Sequence, residues 1–186
     1  MKKIIYLIIV LFSFILNAQK LPEKFVYLED IAPSIRIELR YFSSNNFIGK
    51  PIDGYNNNSL IITRETAKSL KKIQQELFQK ELSLKIFDGY RPQQAVDHFV
   101  RWAKVLKDTV MKAQYYPKIK KNSLFKNGYI ALKSGHSRGS TIDLTIINIK
   151  TGQALDMGSA YDYFGIQSHP LYQNISKKQK QNRMLL

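Results

Sequence analysis

The stretch SGHSRGSTIDLTIINI, residues 134–149, begins as a polar loop with two glycines and ends as a β-branched run. Its second half is the strongest strand signal in the chain, closed by the turn KTG at 150–152. Strand alternation puts Ile142 and Leu144 on one face and Thr141, Asp143 and Thr145 on the other, so Asp143 points away from the core at the start of the strand. His136 lies in the loop that feeds this strand, where Gly135 and Gly139 allow sharp backbone turns. A loop folded back over the strand brings imidazole and carboxylate together. Such a pair is either a hydrogen-bonded structural contact or two ligands of a divalent metal.

Working outward, IRIELRY at 35–41 alternates apolar and polar residues and predicts a half-buried strand. The Asn, Ser and Gly-rich run FSSNNFIGKPIDGYNNNS that follows predicts loop. From Thr63, an N-cap candidate, Ala67, Leu70, Ile73 and Leu77 form one helical stripe. LKIF at 84–87 predicts a short strand. Asp88 and Gly89 mark a turn that projects Tyr90 and Arg91, and Pro92 opens a helix whose buried stripe is Val96, Phe99, Val100 and Ala103. Residues 115–128 predict irregular connection, YIAL at 129–132 a strand, and Ser176 the N-cap of a last helix. Helices set between strands, with hairpin-like connections late, favour an α+β fold: a mostly antiparallel sheet flanked by helices in one domain.

Composition agrees with one globular domain: 186 residues, 44% hydrophobic and 23% charged. The first eighteen residues join Lys2 and Lys3 to an apolar run at 4–12 and end in Ala18, the layout of a secretory signal. That run is shorter than the ~20 residues of a spanning helix, so cleavage after Ala18 and no lasting membrane anchor are expected. Residues 19–186 then form the exported domain, in periplasm or cell envelope. Without a cysteine, packing or a metal must hold it together. Net charge is +15, and +13 once Lys2 and Lys3 leave with the signal. For an exported chain this favours contact with anionic cell-wall polymer over nucleic acid. The lysines are scattered, with small groups at Lys71 and Lys72, Lys118 to Lys121 and Lys177 to Lys180, and read as solvated surface.

Taken in order, NNFIGKPIDGY, DGYRPQQAVDHFVRW, GYIALKSGHSRGSTIDLT and LDMGSAYDYF resemble the D-alanyl-D-alanine dipeptidases, zinc enzymes of vancomycin resistance and cell-wall turnover. The resemblance runs from about Ile35 onward. It implies a zinc D,D-peptidase fold with one Zn2+ per chain, His136 and Asp143 as metal ligands and Arg91 as transition-state stabiliser. It further implies Ser134 as a substrate contact and Asp162 as the partner of the substrate ammonium, with D-Ala-D-Ala as the small-molecule substrate. These residue types suit the task, since a free dipeptide carries an ammonium and a carboxylate, and charge develops on its scissile carbonyl.

The resembling enzymes draw their third zinc ligand, a histidine, and a glutamate base from a later segment with Glu, two Trp and His. Here the last glutamate is Glu81, the last aspartate Asp162 and the only tryptophan Trp102. The expectation is a C-terminally truncated member, impaired as an enzyme. His98 is expected at a helix surface and His169 in a loop. A D,D-carboxypeptidase acting on wall peptides and an inactive wall-peptide-binding module are the alternatives.

Overall fold

The computed structural model describes residues 21–186, so the signal-peptide reading of residues 1–18 lies outside the described residues. The chain runs β1 (Phe25–Tyr27), α1 (Leu28–Ile31), β2 (Arg36–Ile37), β3 (Ile61–Thr63), α2 (Arg64–Phe78), β4 (Leu82–Asp88), α3 (Gln93–Lys104), α4 (Lys112–Tyr115), β5 (Asp143–Asn148) and α5 (Lys177–Leu185). β1 and β3 form an antiparallel pair, and a second sheet has the order β2-β4-β5. In it β4 and β5 are antiparallel, whereas β2 and β4 are parallel. The fold is α+β, with one parallel pair that alternation patterns do not reveal.

Two packed clusters divide the interior. One is aliphatic, with Ile62, Leu70, Leu84, Ile86 and Ile146 closing the space between α2 and the sheet. The other is aromatic, built from Tyr41, Phe47, Phe99, Trp102, Tyr116 and Phe164 beside α3. The ends of β4 and β5 reach the boundary between them. There Asp88 and Asp143 sit opposite each other, past a bulge between Ile86 and Asp88.

Helix α2 starts as its sequence indicates, with Thr63 Oγ1 accepting from the Thr66 N–H at 3.4 Å. Its buried stripe differs by one residue from the apolar pattern. Ile73 is 44% exposed and Gln74 is buried in its place. Gln74 Nε2 donates to Ser83 Oγ at 2.8 Å and to the Ser34 carbonyl at 3.2 Å, while Oε1 accepts from Leu84 N–H at 2.8 Å. The amide thus completes the backbone pairing of β4 ahead of the point where β2 begins.

IRIELRY is a strand over Arg36–Ile37 alone. Glu38 N–H still donates to the Ile86 carbonyl at 2.9 Å, but the bulge in β4 removes the next partner. The chain then tightens into a 3-10 turn, Arg40–Phe42, that carries Tyr41 into the aromatic cluster. YIAL is not a strand either. The Tyr129 and Ile130 N–H groups both turn back onto the Leu124 carbonyl, and the Tyr129 ring stacks on Phe164 at 4.9 Å. Pro92 is the N-cap of α3 and stands just ahead of its first turn, and Val100 is only half-buried. Lys121, grouped by sequence with surface lysines, is buried: its Nζ lies 3.9 Å above the Trp102 ring and donates to the carbonyls of Val105 and Asp108. A cation can be buried there because an aromatic face and two carbonyls replace its water.

The loop before β5 is fixed to the β1–β3 pair. Gly139 has φ +76°, and a Cβ on it would stand 2.3 Å from Cε1 of Phe25. Its carbonyl accepts from Thr63 N–H at 2.9 Å. No residue with a side chain meets both demands, so this glycine sets the loop's path.

Gln74→Leu keeps the volume but strands the Leu84 N–H in the core, and should lower stability by about 1–3 kcal/mol. Ile73→Ala, on the same helix but exposed, should stay within about 0.5 kcal/mol of wild type. Urea unfolding of the two variants decides the matter, and equal losses would refute this account of α2.

Candidate active site

A bend at each of two strand ends delivers the main side chains. On β5 the alternation holds: Ile146 is in the core with Ile142 and Leu144 packed against it, and Asp143 turns to the opposite face. The loop ahead of it closes as a 3-10 turn, Gly135–Arg138, with Ser134 as its N-cap, the Ser134 Oγ accepting from His136 N–H at 3.2 Å. His136 Nε2 thereby comes to 3.4 Å from Asp143 Oδ1. On the facing strand, the backbone after Asp88 passes against β3. A Cβ on Gly89 would lie 2.7 Å from Ile62 and 2.9 Å from the Ile61 carbonyl. The turn sends Arg91 inward, its N–H donating to the His136 carbonyl at 3.3 Å, while Tyr90 packs edge-on against Phe25. Tyr90 therefore takes no part in the site.

His136 Nδ1 stands 2.9 Å from the Gly89 carbonyl. A carbonyl only accepts, so Nδ1 carries a proton and Nε2 is the nitrogen turned toward Asp143. Among the described residues, the metal-binding side chains close enough to share an ion are Asp88, His136 and Asp143. Their roles differ. Asp88 is fully buried, on the Nδ1 side of the ring at 3.4 Å. Its Oδ1 accepts from Tyr55 OH at 2.7 Å and Gly89 N–H at 2.9 Å, its Oδ2 accepts from Arg91 Nε at 2.9 Å, and Arg91 Nη2 is ion-paired with Oδ2 at 2.8 Å. Burial pushes the Asp88 carboxyl up, with the Arg91 charge opposing. Three donors and the guanidinium charge suit the carboxylate form and already engage both oxygens. The donor set that fits a zinc ion is therefore His136 Nε2 with Asp143, and Asp88 stands behind them.

Arg91 links the two carboxylates, its Nη2 also lying 3.3 Å from Asp143 Oδ2. Its guanidinium lies 5.0 Å from the Tyr41 ring and 5.3 Å from Phe99. Burial by itself would raise the Asp143 carboxyl, but hydrogen bonding and charge from His136, then Arg91, hold it below the usual range. His136 is held above its ordinary value: burial lowers it, and the Asp143 hydrogen bond and charge outweigh burial.

These groups line a cavity of about 240 Å3. That is below the roughly 300–1,000 Å3 of pockets for drug-sized ligands and suits a small substrate. Arg91, Ser134, His136 and Asp143 lie on its wall, and so does Asp162. Phe47, Phe99, Phe164 and Ile130 form an apolar side. All five residues singled out from the sequence thus share one cavity. Asp162 has a left-handed backbone, φ +56°, an arrangement aspartate tolerates better than most residues. Its Oδ2 accepts from Tyr41 OH at 2.8 Å. Burial, then the charge of Asp143, push its carboxyl up to about 7. Burial also pushes the Tyr41 and Tyr161 phenols well up, so both act as donors.

Three contributors were not singled out by sequence. Asp88 reads there as a turn residue, although its place directly after an apolar strand is the signal of a buried carboxylate. Tyr41 reads as the end of a strand. Tyr161, whose OH donates to Asp143 Oδ2 at 3.1 Å, leaves no local signal. His98 is half-buried in the middle of α3, its Nδ1 accepting from Asp53 N–H at 3.1 Å. His169 is exposed in its loop and does not join the cluster.

Residues 22–186 match the model of a family described as D-ala-D-ala dipeptidase. The chain is 40% identical over 162 residues to the D-alanyl-D-alanine dipeptidase of Enterococcus faecalis, covering 87% of this chain and 80% of that protein. It is 36% identical over 159 residues to the protein of that name from Streptomyces coelicolor, covering 86% and 79%. With the Escherichia coli protein of that name the identity is 30% over 156 residues, covering 84% and 70%.

A carboxyl raised to about 7 keeps a proton in the folded protein that the unfolded chain has released above about pH 4. Its contribution to stability is therefore present below about pH 4 and is lost as pH rises through about 7. Urea midpoints of metal-free wild type and Asp162→Asn, measured from pH 4 to 8, should differ in slope across this window. Parallel curves would show that Asp162 titrates normally.

Proposed function

Since this chain belongs to the D-ala-D-ala dipeptidase family of metallopeptidases, we propose that it hydrolyses D-Ala-D-Ala to two D-alanines with a zinc ion held by His136 Nε2 and Asp143. The observation that carries this reading is the fixed tautomer of His136, whose Nδ1 proton is committed to the Gly89 carbonyl while Nε2 and the Asp143 carboxylate meet at the cavity wall. A bound zinc supplies a water of lowered pKa and polarises the scissile carbonyl.

The chain's own residues do the rest. Asp162, ionised, receives the substrate ammonium at one end of the cavity, and Tyr41 fixes the direction of its free oxygen. Ser134 offers a hydroxyl to the substrate. Arg91 carries a permanent positive charge that Asp88 cannot release, and it faces the oxyanion that forms as the carbonyl is attacked. Its charge is in place before reaction, so little reorganisation is needed when the transition state forms. The short cavity, with a carboxylate at the amine end, favours a free dipeptide over a longer wall peptide. The proposed setting is the cell envelope, where the basic surface meets anionic polymer; this rests on the N-terminal pattern and the net charge.

A catalytic zinc commonly takes three protein ligands and a water. Among the described residues His136 and Asp143 are two of these, and turnover is expected to depend on zinc. Purified wild type should bind one zinc and release D-alanine from D-Ala-D-Ala, and His136→Ala should lose both. Arg91→Lys should keep the zinc and lose roughly 100- to 1,000-fold in rate. A wild type that binds D-Ala-D-Ala without zinc or turnover, and still binds it after His136→Ala, would favour the binding-module alternative. Faster release from D-Ala-D-Ala-ended pentapeptides would favour the carboxypeptidase.

A further inference from the structure

Asp143 has two oxygens, and the structure treats them unequally. Oδ1 lies beside His136 Nε2, and Oδ2 takes two donors, Arg91 Nη2 at 3.3 Å and Tyr161 OH at 3.1 Å. The phenol has a fixed seat. Its ring stacks on Phe87 with centroids 4.5 Å apart and planes at 26°, and the Arg40 guanidinium lies 5.8 Å from its centroid. Phe87 is itself buried on β4, the strand that pairs with β5. The hydroxyl is thus carried by the same sheet that carries the carboxylate it meets.

A carboxylate free to rotate can offer a metal either oxygen or both. One with Oδ2 occupied by two donors presents Oδ1 alone. Arg91 can supply only part of this constraint, because its Nη2 is shared with Asp88 at the shorter distance of 2.8 Å. We infer that Tyr161 is a positioning residue for the metal site, holding Oδ2 of Asp143 so that Oδ1, next to His136 Nε2, is the oxygen offered to the ion. The inference rests on the zinc reading given above and deepens it. Tyr161 also precedes Asp162, whose left-handed backbone turns the two neighbours to different partners, Tyr161 to Asp143 and Asp162 to Tyr41. One loop therefore orients the metal ligand and the group assigned to the substrate ammonium.

Tyr161→Phe removes the hydroxyl and keeps the stacked ring. Titration of the metal-free full chain with zinc should show a 10- to 100-fold loss of affinity, the usual cost of removing a hydrogen bond to a metal ligand. The visible absorption of the cobalt-substituted protein should change as well, reporting altered coordination by Asp143. The metal-free melting temperature should stay at the wild-type value. Phe87→Leu, which disturbs the stack and leaves the hydroxyl, should lower the melting temperature and so gives the measure of a packing loss. Wild-type affinity and an unchanged cobalt spectrum in Tyr161→Phe would overturn the inference while the zinc reading stands. So would a loss of affinity matched by a melting loss like that of Phe87→Leu, which would make the role one of packing. A wild-type chain that binds no zinc would overturn both readings.

Discussion

A carboxylate with no solvent contact has to be met by hydrogen-bond donors from within the protein, and the placement of Asp88 at the end of β4 organises what surrounds it. Tyr55 arrives from the long Asn-rich loop, Gly89 from the turn, and Arg91 from the lead-in to α3. The Asn-rich loop and the turn that follows β4 are thus brought to one point by one charge. Removing a single partner would leave the others facing an uncompensated buried ion, a far larger penalty than losing an exposed pair. The guanidinium is in turn a fixed charge at the edge of the cavity, and the backbone N–H of the same residue donates to the His136 carbonyl. Site and fold are stabilised by the same contacts.

The two clusters of the interior then take different parts. The aliphatic one holds the sheet against α2 and sets the positions of the strand ends. The aromatic one walls the cavity with rings that contact one another, so the space available to a substrate is defined by rigid bodies with few rotamers. Stiff rings limit the size of what such a cavity admits as much as its polar groups do.

How much of this is legible in the sequence depends on the reach of the interaction. β5 with its outward Asp143, the Thr63 and Ser176 caps, and the positions of His136 and Arg91 follow from patterns a few residues long, and the chain obeys them. The errors share a cause, which is a partner distant in sequence. Gln74 is buried because β2 begins only opposite Lys85 and leaves the Leu84 N–H without a strand partner, so an amide is better there than the isoleucine next to it. IRIELRY alternates over seven residues, yet the bulge in β4 ends its pairing after two. YIAL has strand-like composition and no strand to pair with. Tyr161 and Tyr41 join the site only through contacts spanning 18 and 121 residues, which no local window contains.

The contact between Phe25 and Gly139 joins the first strand of the described chain to the loop that carries His136. A phenylalanine ring fills the space where any side chain on the loop would have stood, so loop and strand are keyed to each other like a latch and its plate. For protein engineering, the front end of this molecule is consequently not a neutral place. A fusion partner, an affinity tag or a trimmed boundary that tugs on β1 pulls on the His136 loop as well, and a preparation with a disturbed cavity should be suspected first at that end.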